Sequence, residues 1–240
     1  MEGSLNLVIN FKGFLDSTSC LPTGRRYTRN DSLLYNLLKM KILQKENIGE
    51  VVALLKKGKV LVLPTETSYG LGCDATNQES VERIFKIKKR NKDKPLLVVV
   101  DGIKKAKKYL KWNEIVENLS EKYWKKNKSA LTVVGKYKRN WFKKNLVRGV
   151  VSHKKTLALR VTKDLWLKEL CEKFGGPIVA TSANIAGEDN VYNFEEIKRQ
   201  FNDKDVIIID SGDLEKKLSS TLVSVFSDKI KVLRQGEVKL

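Results

Sequence analysis

The chain has 240 residues, 41% hydrophobic and 31% charged, with 47 Lys and Arg against 28 Asp and Glu for a net charge of +19. That length builds one large domain or two small ones with a genuine core, and such an excess of cations favours polyanion partners such as nucleotides or RNA, although lysines spread this evenly also serve as a solvated surface. His153 is the only histidine, which excludes a His-based triad or multi-His metal site, and Cys20, Cys73 and Cys171 are odd in number, far apart and without metal-ligand spacing. This cysteine usage fits a reducing, cytoplasmic setting, and no run reaches membrane-spanning length or resembles a basic-then-apolar leader.

Residues 1–39 form an N-terminal extension that combines Phe11, Phe14 and a Leu33-to-Leu38 apolar segment with the turn-rich stretch Ser17 to Gly24. The pattern supports either a segment outside the folded body or a short hairpin or helix packed on it; residues 40–240 form the main domain. Asn47 to Lys57 reads as a helix with Ile48, Val51, Val52, Leu54 and Leu55 on one broad face and Gly58 as its stop. Val60 to Leu63 is too short for a helix and suits a strand buried on both faces, ended by Pro64, which has no N–H for the ladder. A polar loop Thr65 to Tyr69 leads into Gly70-Leu71-Gly72, where glycine allows close backbone approach. Asn77 caps a helix carrying Val81, Ile84 and Phe85 at helical spacing, which ends in the cationic run Lys86 to Arg90.

Leu96 to Val100 is a second buried strand, completing a strand–loop–helix–strand unit that gathers hydroxyls, glycines and a cationic helix end as an α/β polyanion site does. Ile103 to Leu110 and Glu114 to Trp124 read as basic helices, and Leu131 to Val134 as a strand. Residues 136–156, with Trp141, Phe142 and many cations, read as an exposed excursion. Leu157 to Val161 is a strand containing Arg160; Thr162 caps a helix from Lys163 to Phe174; Ile178 to Ala180 is a short buried strand; Asn193 caps a helix to Phe201. Val206 to Ile209, Leu222 to Phe226 and Ile230 to Leu233 are the last strands. The expected fold is α/β: a single domain with a large twisted mixed β-sheet flanked by helices around a basic concave cavity.

Five blocks in order carry a specific resemblance. They are Pro64-Thr65-Glu66-Thr67-Ser68-Tyr69-Gly70 with Lys88-x-Arg90 and Pro95-Leu96; Leu157 to Val161; Thr181-Ser182-Ala183-Asn184; Ser219-Ser220-Thr221; and Leu233-Arg234-Gln235-Gly236. Together, over roughly residues 45–238, they resemble the YrdC/Sua5 family of threonylcarbamoyl-AMP synthases, in its short single-domain form. The resemblance implies a nucleotidyltransferase that joins L-threonine, bicarbonate and ATP into threonylcarbamoyl-AMP and pyrophosphate. Mg2+ would accompany the ATP, and the product would pass to threonylcarbamoyl-transferase proteins that modify an adenosine of tRNA. Such chemistry is mostly positioning and charge stabilisation, so the lack of histidines is no objection.

By the same resemblance, Lys88, Arg90, Ser182 and Asn184 are the catalytic set around the triphosphate, and Lys94, Ser220 and Arg234 are further ATP contacts. Thr67, Thr132 and Arg160 would hold threonine, Arg160 gripping its carboxylate. Read from the residues alone, Lys88 and Arg90 are equally a solvated helix end balancing the macrodipole, and Arg160 a structural ion pair. Tyr69 either stacks on a base or packs under its loop. Two departures stand out: Asn127-Lys128-Ser129-Ala130 replaces the Trp-Pro-Gly-Pro usual before Thr132, and Leu97-Val98-Val99 replaces a histidine that often follows Pro-Leu. The competing reading is a module of the same fold that binds double-stranded RNA or tRNA without synthase activity, with the basic cavity along the backbone and Trp141 offering stacking.

Overall fold

The computed structural model describes residues 41–126, 129–139, 145–202, 204–227 and 229–240. The expectations for residues 1–39 and for Trp141 and Phe142 lie outside them.

Among the described residues, ten strands form one sheet, and it is mixed because the chain alternates crossovers with tight returns. The strands are β1 (Lys41–Gln44), β2 (Leu61–Leu63), β3 (Gly70–Asp74), β4 (Val98–Val100), β5 (Leu131–Lys136), β6 (Thr156–Val161), β7 (Ile178–Ser182), β8 (Ile207–Asp210), β9 (Thr221–Phe226) and β10 (Lys229–Arg234). Their spatial order is β1-β8-β2-β3-β7-β4-β6-β5-β9-β10. β1/β8, β2/β8, β4/β6 and β5/β9 run parallel, and the other neighbours run antiparallel.

Among the described residues, six α-helices cover the sheet: α1 (Ile48–Lys56), α2 (Gln78–Lys88), α3 (Ile103–Tyr109), α4 (Glu114–Leu119), α5 (Leu165–Phe174) and α6 (Phe194–Phe201), with a π-helical turn Ser120–Lys126 continuing α4. The sequence sets their starts through side-chain caps: Asn77 accepts from the Ser80 N–H, Asn113 from Val116, and Asn193 from Glu196. Each such cap satisfies an amide the helix itself leaves unpaired and stabilises by about 1 kcal/mol. The cap of α5 corrects the expectation. Asp164, not Thr162, accepts from the Leu167 N–H; Thr162 faces inward and bonds Glu66 instead.

Strand alternation divides the interior into two cores. Val60, Val62, Val98, Val100 and Ile208 pack on one side with Val81, Ile84 and Phe85 of α2. Leu61, Leu63, Val99, Ile207 and Ile209 pack on the other with Leu54 and Leu55 of α1 and Leu167 and Leu170 of α5. The central strands are therefore apolar on both faces, as their continuous apolar runs imply, and each fully buried Leu or Ile contributes roughly 1.5–3 kcal/mol. Truncating Leu61 or Leu63, both fully buried, would open a cavity costing about 2–5 kcal/mol.

One expectation changes. Gly70-Leu71-Gly72 is not part of the loop but opens β3, which pairs antiparallel with β2, so the unit is a hairpin followed by a helix. Gly72 permits this, since a Cβ there would lie 2.4 Å from Leu63 Cδ1 and 3.0 Å from the Val179 carbonyl oxygen. Lys41 to Gln44 adds an edge strand whose side chains are mostly exposed.

On the face shared with α1 and α5, the sheet changes character toward β9. The positions facing that side become Ala158 and Arg160 in β6, Thr132 in β5 and Leu222 in β9, while Leu157, Leu159, Val133 and Val223 continue the opposite core. Small and polar residues replace large apolar ones, and a cavity opens there.

Candidate functional site

A cavity of about 190 Å³, partly open to solvent, lies over this part of the sheet. The hairpin loop after β2 supplies Thr67 and Ser68. The end of β7 supplies Ser182, opposite Gly70 of β3 in register. Thr132 and Arg160 are register partners across β5 and β6, and Ser220, Leu222 and Arg234 close the far side. Of the ten residues expected to form the site, seven line this cavity: Thr67, Arg90, Thr132, Arg160, Ser182, Ser220 and Arg234.

Their hydroxyls are held in place before any ligand arrives. Thr65 Oγ1 donates to the Ser68 carbonyl at 2.7 Å and accepts from the Thr67 and Ser68 amides, so a single side chain shapes the loop as an ST-turn does. Thr132 Oγ1 and Ser220 Oγ lie 2.9 Å apart. Behind Ser220, Thr221 Oγ1 donates to the Val238 carbonyl and accepts from the Gly236 and Val238 amides, pinning the chain end under the site. Gly236 is needed for that approach, because a Cβ there would lie 2.1 Å from the Ser219 carbonyl oxygen.

Three arginines converge on the same space. Arg90 donates from Nε to the Lys94 carbonyl at 2.9 Å and from Nη2 to the Pro95 carbonyl at 3.3 Å. Arg234 donates from Nη2 to the carbonyl and hydroxyl oxygens of Ser220 at 2.8 and 3.2 Å. Arg160, 3% exposed, has its Nε 3.1 Å from Glu66 Oε1, yet off the line of a hydrogen bond. No hydrogen bond to its terminal amino groups exists among the described residues. Arg234 has its proton loosened by burial and then by the nearby Arg160 charge. Guanidiniums held this way, near one another and under-partnered, are stabilised by an anion in the cavity, and their forks match carboxylate and phosphate.

The other three expected residues are not on the cavity wall. Lys88 is 2% exposed, and its Nζ donates to the Ser182 carbonyl at 2.5 Å, the Asn184 carbonyl at 2.6 Å and Asn184 Oδ1 at 2.9 Å. All three ammonium protons are used inside the protein. Burial, and then the charge of Arg90, push Lys88 down to about 8, partly offset by Glu188. Asn184 in turn accepts from Ser182 Oγ at 2.6 Å and donates to the Glu188 carbonyl. Lys88 and Asn184 therefore form a knot behind Ser182 instead of reaching the cavity. Lys94 presents its side chain to solvent and contributes its carbonyl to Arg90. Tyr69 packs: it is fully buried, its hydroxyl donates to the Gly212 carbonyl at 2.6 Å, and burial raises its phenol to about 12.

Sequence reasoning missed Glu66, Thr65, Ser68, Asn190 and Ser219. Thr65 and Ser68 sit inside the quoted loop motif and could have been marked from it. Asn190, whose Nδ2 donates to Ser219 Oγ at 3.1 Å, carries no local signal. Among the described residues, no group of three or more Asp, Glu, Cys or His side chains could hold a metal ion, and no helix is long and apolar enough to cross a membrane.

Known proteins share the sequence pattern and the fold of this chain. A family model covering Sua5, YciO and YrdC proteins, described as "Telomere recombination", matches residues 53–236. The threonylcarbamoyl-AMP synthase of Pseudoalteromonas translucida is 34% identical over 65% of this chain and 81% of its own length. That of Vibrio vulnificus is 28% identical over 79% of this chain and 98% of its own. Among solved structures, P. abyssi Sua5 complexed with L-threonine superposes with a TM-score of 0.73 and 27% identity, covering 82% of this chain. This chain spans 57% of that Sua5 chain. E. coli YciO, at 23% identity and a TM-score of 0.70, shares the fold over 82% of this chain and 95% of its own.

Proposed function

The chain belongs to the Sua5/YciO/YrdC family, and from that premise we propose that it is a threonylcarbamoyl-AMP synthase acting on L-threonine, bicarbonate and ATP. The observation that carries the reading is Arg160. A nearly buried guanidinium with unused terminal donors, facing a small cavity lined by hydroxyls, suits one end of an amino-acid substrate. Threonine's carboxylate would bridge those donors, and its side chain would rest among Leu97, Ala158, Ala180 and Leu222, which line the same cavity.

In this reading the threonine amine attacks the bicarbonate carbon, giving a carbamate and releasing water. A carbamate oxygen then attacks the α-phosphorus of ATP, and pyrophosphate leaves with the electron pair of the broken P–O bond. The chain contributes position and charge. Arg90 and Arg234 flank the cavity and compensate phosphate charge, and Ser220 offers a hydroxyl donor, while Ser182, whose proton goes to Asn184 Oδ1, presents its oxygen as an acceptor. Lys88 and Asn184 hold Ser182 from behind. Little covalent machinery is needed, since alignment and fixed cations supply most of the acceleration in such transfers.

Among the described residues no cluster of three or more Asp, Glu, Cys or His side chains forms a metal site, and Mg2+ would accompany the ATP as counter-charge for its triphosphate. The product, a mixed anhydride, would be consumed by transferase proteins that place the threonylcarbamoyl group on tRNA. Pyrophosphate release that requires ATP, threonine and bicarbonate together is the expected result of a continuous phosphate-coupled assay. Release that ignores threonine would leave only a nucleotide-hydrolysing activity, and no release at all would sink the proposal.

A further inference from the structure

Glu66 is the only carboxylate in contact with the cavity arginines among the described residues, and the proposed reaction gives it no part. It sits in the loop between β2 and β3, its side chain 4% exposed, and it does not itself line the cavity. A carboxylate so buried is costly unless each oxygen has a partner. Oε2 accepts from Thr162 Oγ1 at 3.0 Å, and Thr162 Oγ1 is fixed in turn by the Asp164 N–H at 3.1 Å. Oε1 lies 3.1 Å from Arg160 Nε. The Asp164 amide, Thr162 and Glu66 thus form a chain that ends at the Nε of the Arg160 guanidinium.

We propose that Glu66 is a positioning residue for substrate selection: held by Thr162, it fixes Arg160 through Nε so that the two terminal amino groups face the cavity as a carboxylate fork. The proposal rests on the synthase reading and deepens it. A partner lying across the two terminal nitrogens would occupy the end-on fork and leave a substrate only the side edge at Nε. Engaged at Nε, it keeps its two-pronged edge free, the geometry that matches a carboxylate with parallel hydrogen bonds. Glu66 also offsets part of the charge of Arg160, while Arg90 and Arg234, without a carboxylate partner among the described residues, carry the uncompensated charge suited to phosphates. Contact between Oε1 and Nε that is close but misaligned is what this pair would show in the ligand-free protein; catalytic hydrogen bonds often tighten only in the substrate complex.

The test compares wild type, Glu66→Gln, Thr162→Val, Arg160→Lys and the double variant Glu66→Gln/Arg160→Lys, measuring KM for threonine and for ATP. Calorimetric titration with L-threonine and its methyl ester, which lacks the carboxylate charge, runs alongside. Glu66→Gln is expected to raise the threonine KM about tenfold, leave the ATP KM within about twofold, and shrink the preference for threonine over its ester. Thr162→Val, nearly isosteric, should do the same more weakly, by a few-fold. The double variant should be no worse for threonine than Arg160→Lys alone, because Glu66 acts only through Arg160. Equal losses for both substrates, an unaltered ester preference, or additive losses in the double variant would each overturn the proposal. If Glu66→Gln does not fold, Thr162→Val decides: an unchanged threonine KM would overturn it. A wild-type protein that takes ATP but neither binds nor uses threonine would overturn the synthase reading itself and this inference with it, whereas an active wild type with a silent Glu66→Gln would overturn this inference alone.

Discussion

Lys88 and Arg90 stand two residues apart in the same basic run, yet the fold uses them in opposite ways. Lys88 turns inward from the last residue of α2, and all three of its protons go to carbonyl-type oxygens of Ser182 and Asn184. Arg90 lies past the left-handed Lys89 cap, is braced by two main-chain carbonyls, and lines the cavity with Arg160 and Arg234. A cation whose donors are all consumed by the protein holds shape; one with donors left over recruits a ligand. The knot behind Ser182 and the arginine wall in front of it should therefore fail differently when cut.

The largest effect is expected at the knot. Lys88→Ala orphans two buried main-chain carbonyls at about 1–3 kcal/mol each and removes a buried aliphatic stem at about 0.8 kcal/mol per methylene. Against this stands relief from desolvating an ammonium. The net loss should be about 4 kcal/mol, lowering the melting temperature by about 10 °C for a domain of this size. By contrast, Arg234→Ala should shift it by no more than a few degrees while reducing pyrophosphate release about ten- to a hundredfold. Calorimetry and turnover on both variants check the pair. A Lys88→Ala protein of unchanged melting temperature but no activity would place Lys88 on the substrate after all.

Within the wall, Arg160→Lys should weaken threonine about ten- to a hundredfold and leave ATP nearly unaffected, since an ammonium cannot replace the fork. Separate KM determinations read this directly. Equal losses for the two substrates would make Arg160 part of the scaffold with Glu66.

The contrast was only half legible in the sequence. The apolar runs at Val60 to Leu63 and Val98 to Val100 announce strands buried on both faces because every residue in them is apolar, and the Asn caps at 77 and 193 announce their helices. The Lys-x-Arg spacing marks both cations but not their direction, which depends on the left-handed turn at Lys89, φ 49°, and on the Ser182–Asn184 loop folding back over the end of α2. β3 was hidden because glycines at 70 and 72 look like loop until Leu63 and Val179 are seen to leave no room for a Cβ. Glu66 was hidden because its partners lie far along the chain, at 160 and 162, and a single glutamate in a polar loop carries no periodicity.

A smaller effect separates knot from wall by pH. Lys88 titrates at about 8 in the fold against an ordinary value of 10.5. The native protein thus loses this proton before the unfolded chain does. Below about pH 8 both states are charged and the fold bears the whole cost of the buried ammonium. Between about 8 and 10.5 the unfolded chain binds more protons, so this residue's contribution to stability rises with pH. The full difference is roughly 3 kcal/mol, of which about 2 develops between pH 7.5 and 10. Urea unfolding of wild type and Lys88→Met at pH 7.5 and 10 should show wild type gaining by that amount relative to the variant. A gap that stays flat with pH would mean that Lys88 remains an ordinary ammonium inside the knot.

The smallest effect concerns the part of the wall that carries no charge. Arg160, Thr67 and Thr132 can treat serine and threonine alike, because both amino acids have the same carboxylate, amine and hydroxyl. On the synthase reading, the extra methyl group would rest on the apolar lining, such as Leu97, Ala158, Ala180 and Leu222. Burying one such group is worth about 0.8 kcal/mol, or roughly fourfold in kcat/KM. The loop Ser129-Ala130 leads into Thr132 without bulky rings, so little in the described lining adds steric selection beyond that. Serine should therefore support pyrophosphate release at about a quarter of the threonine efficiency. Enlarging Ala158 to Val should narrow the space and lower threonine more than serine. Discrimination of a hundredfold or more would show that the cavity closes around the methyl group in the substrate complex, and that the wall, like the knot, has a packed state of its own.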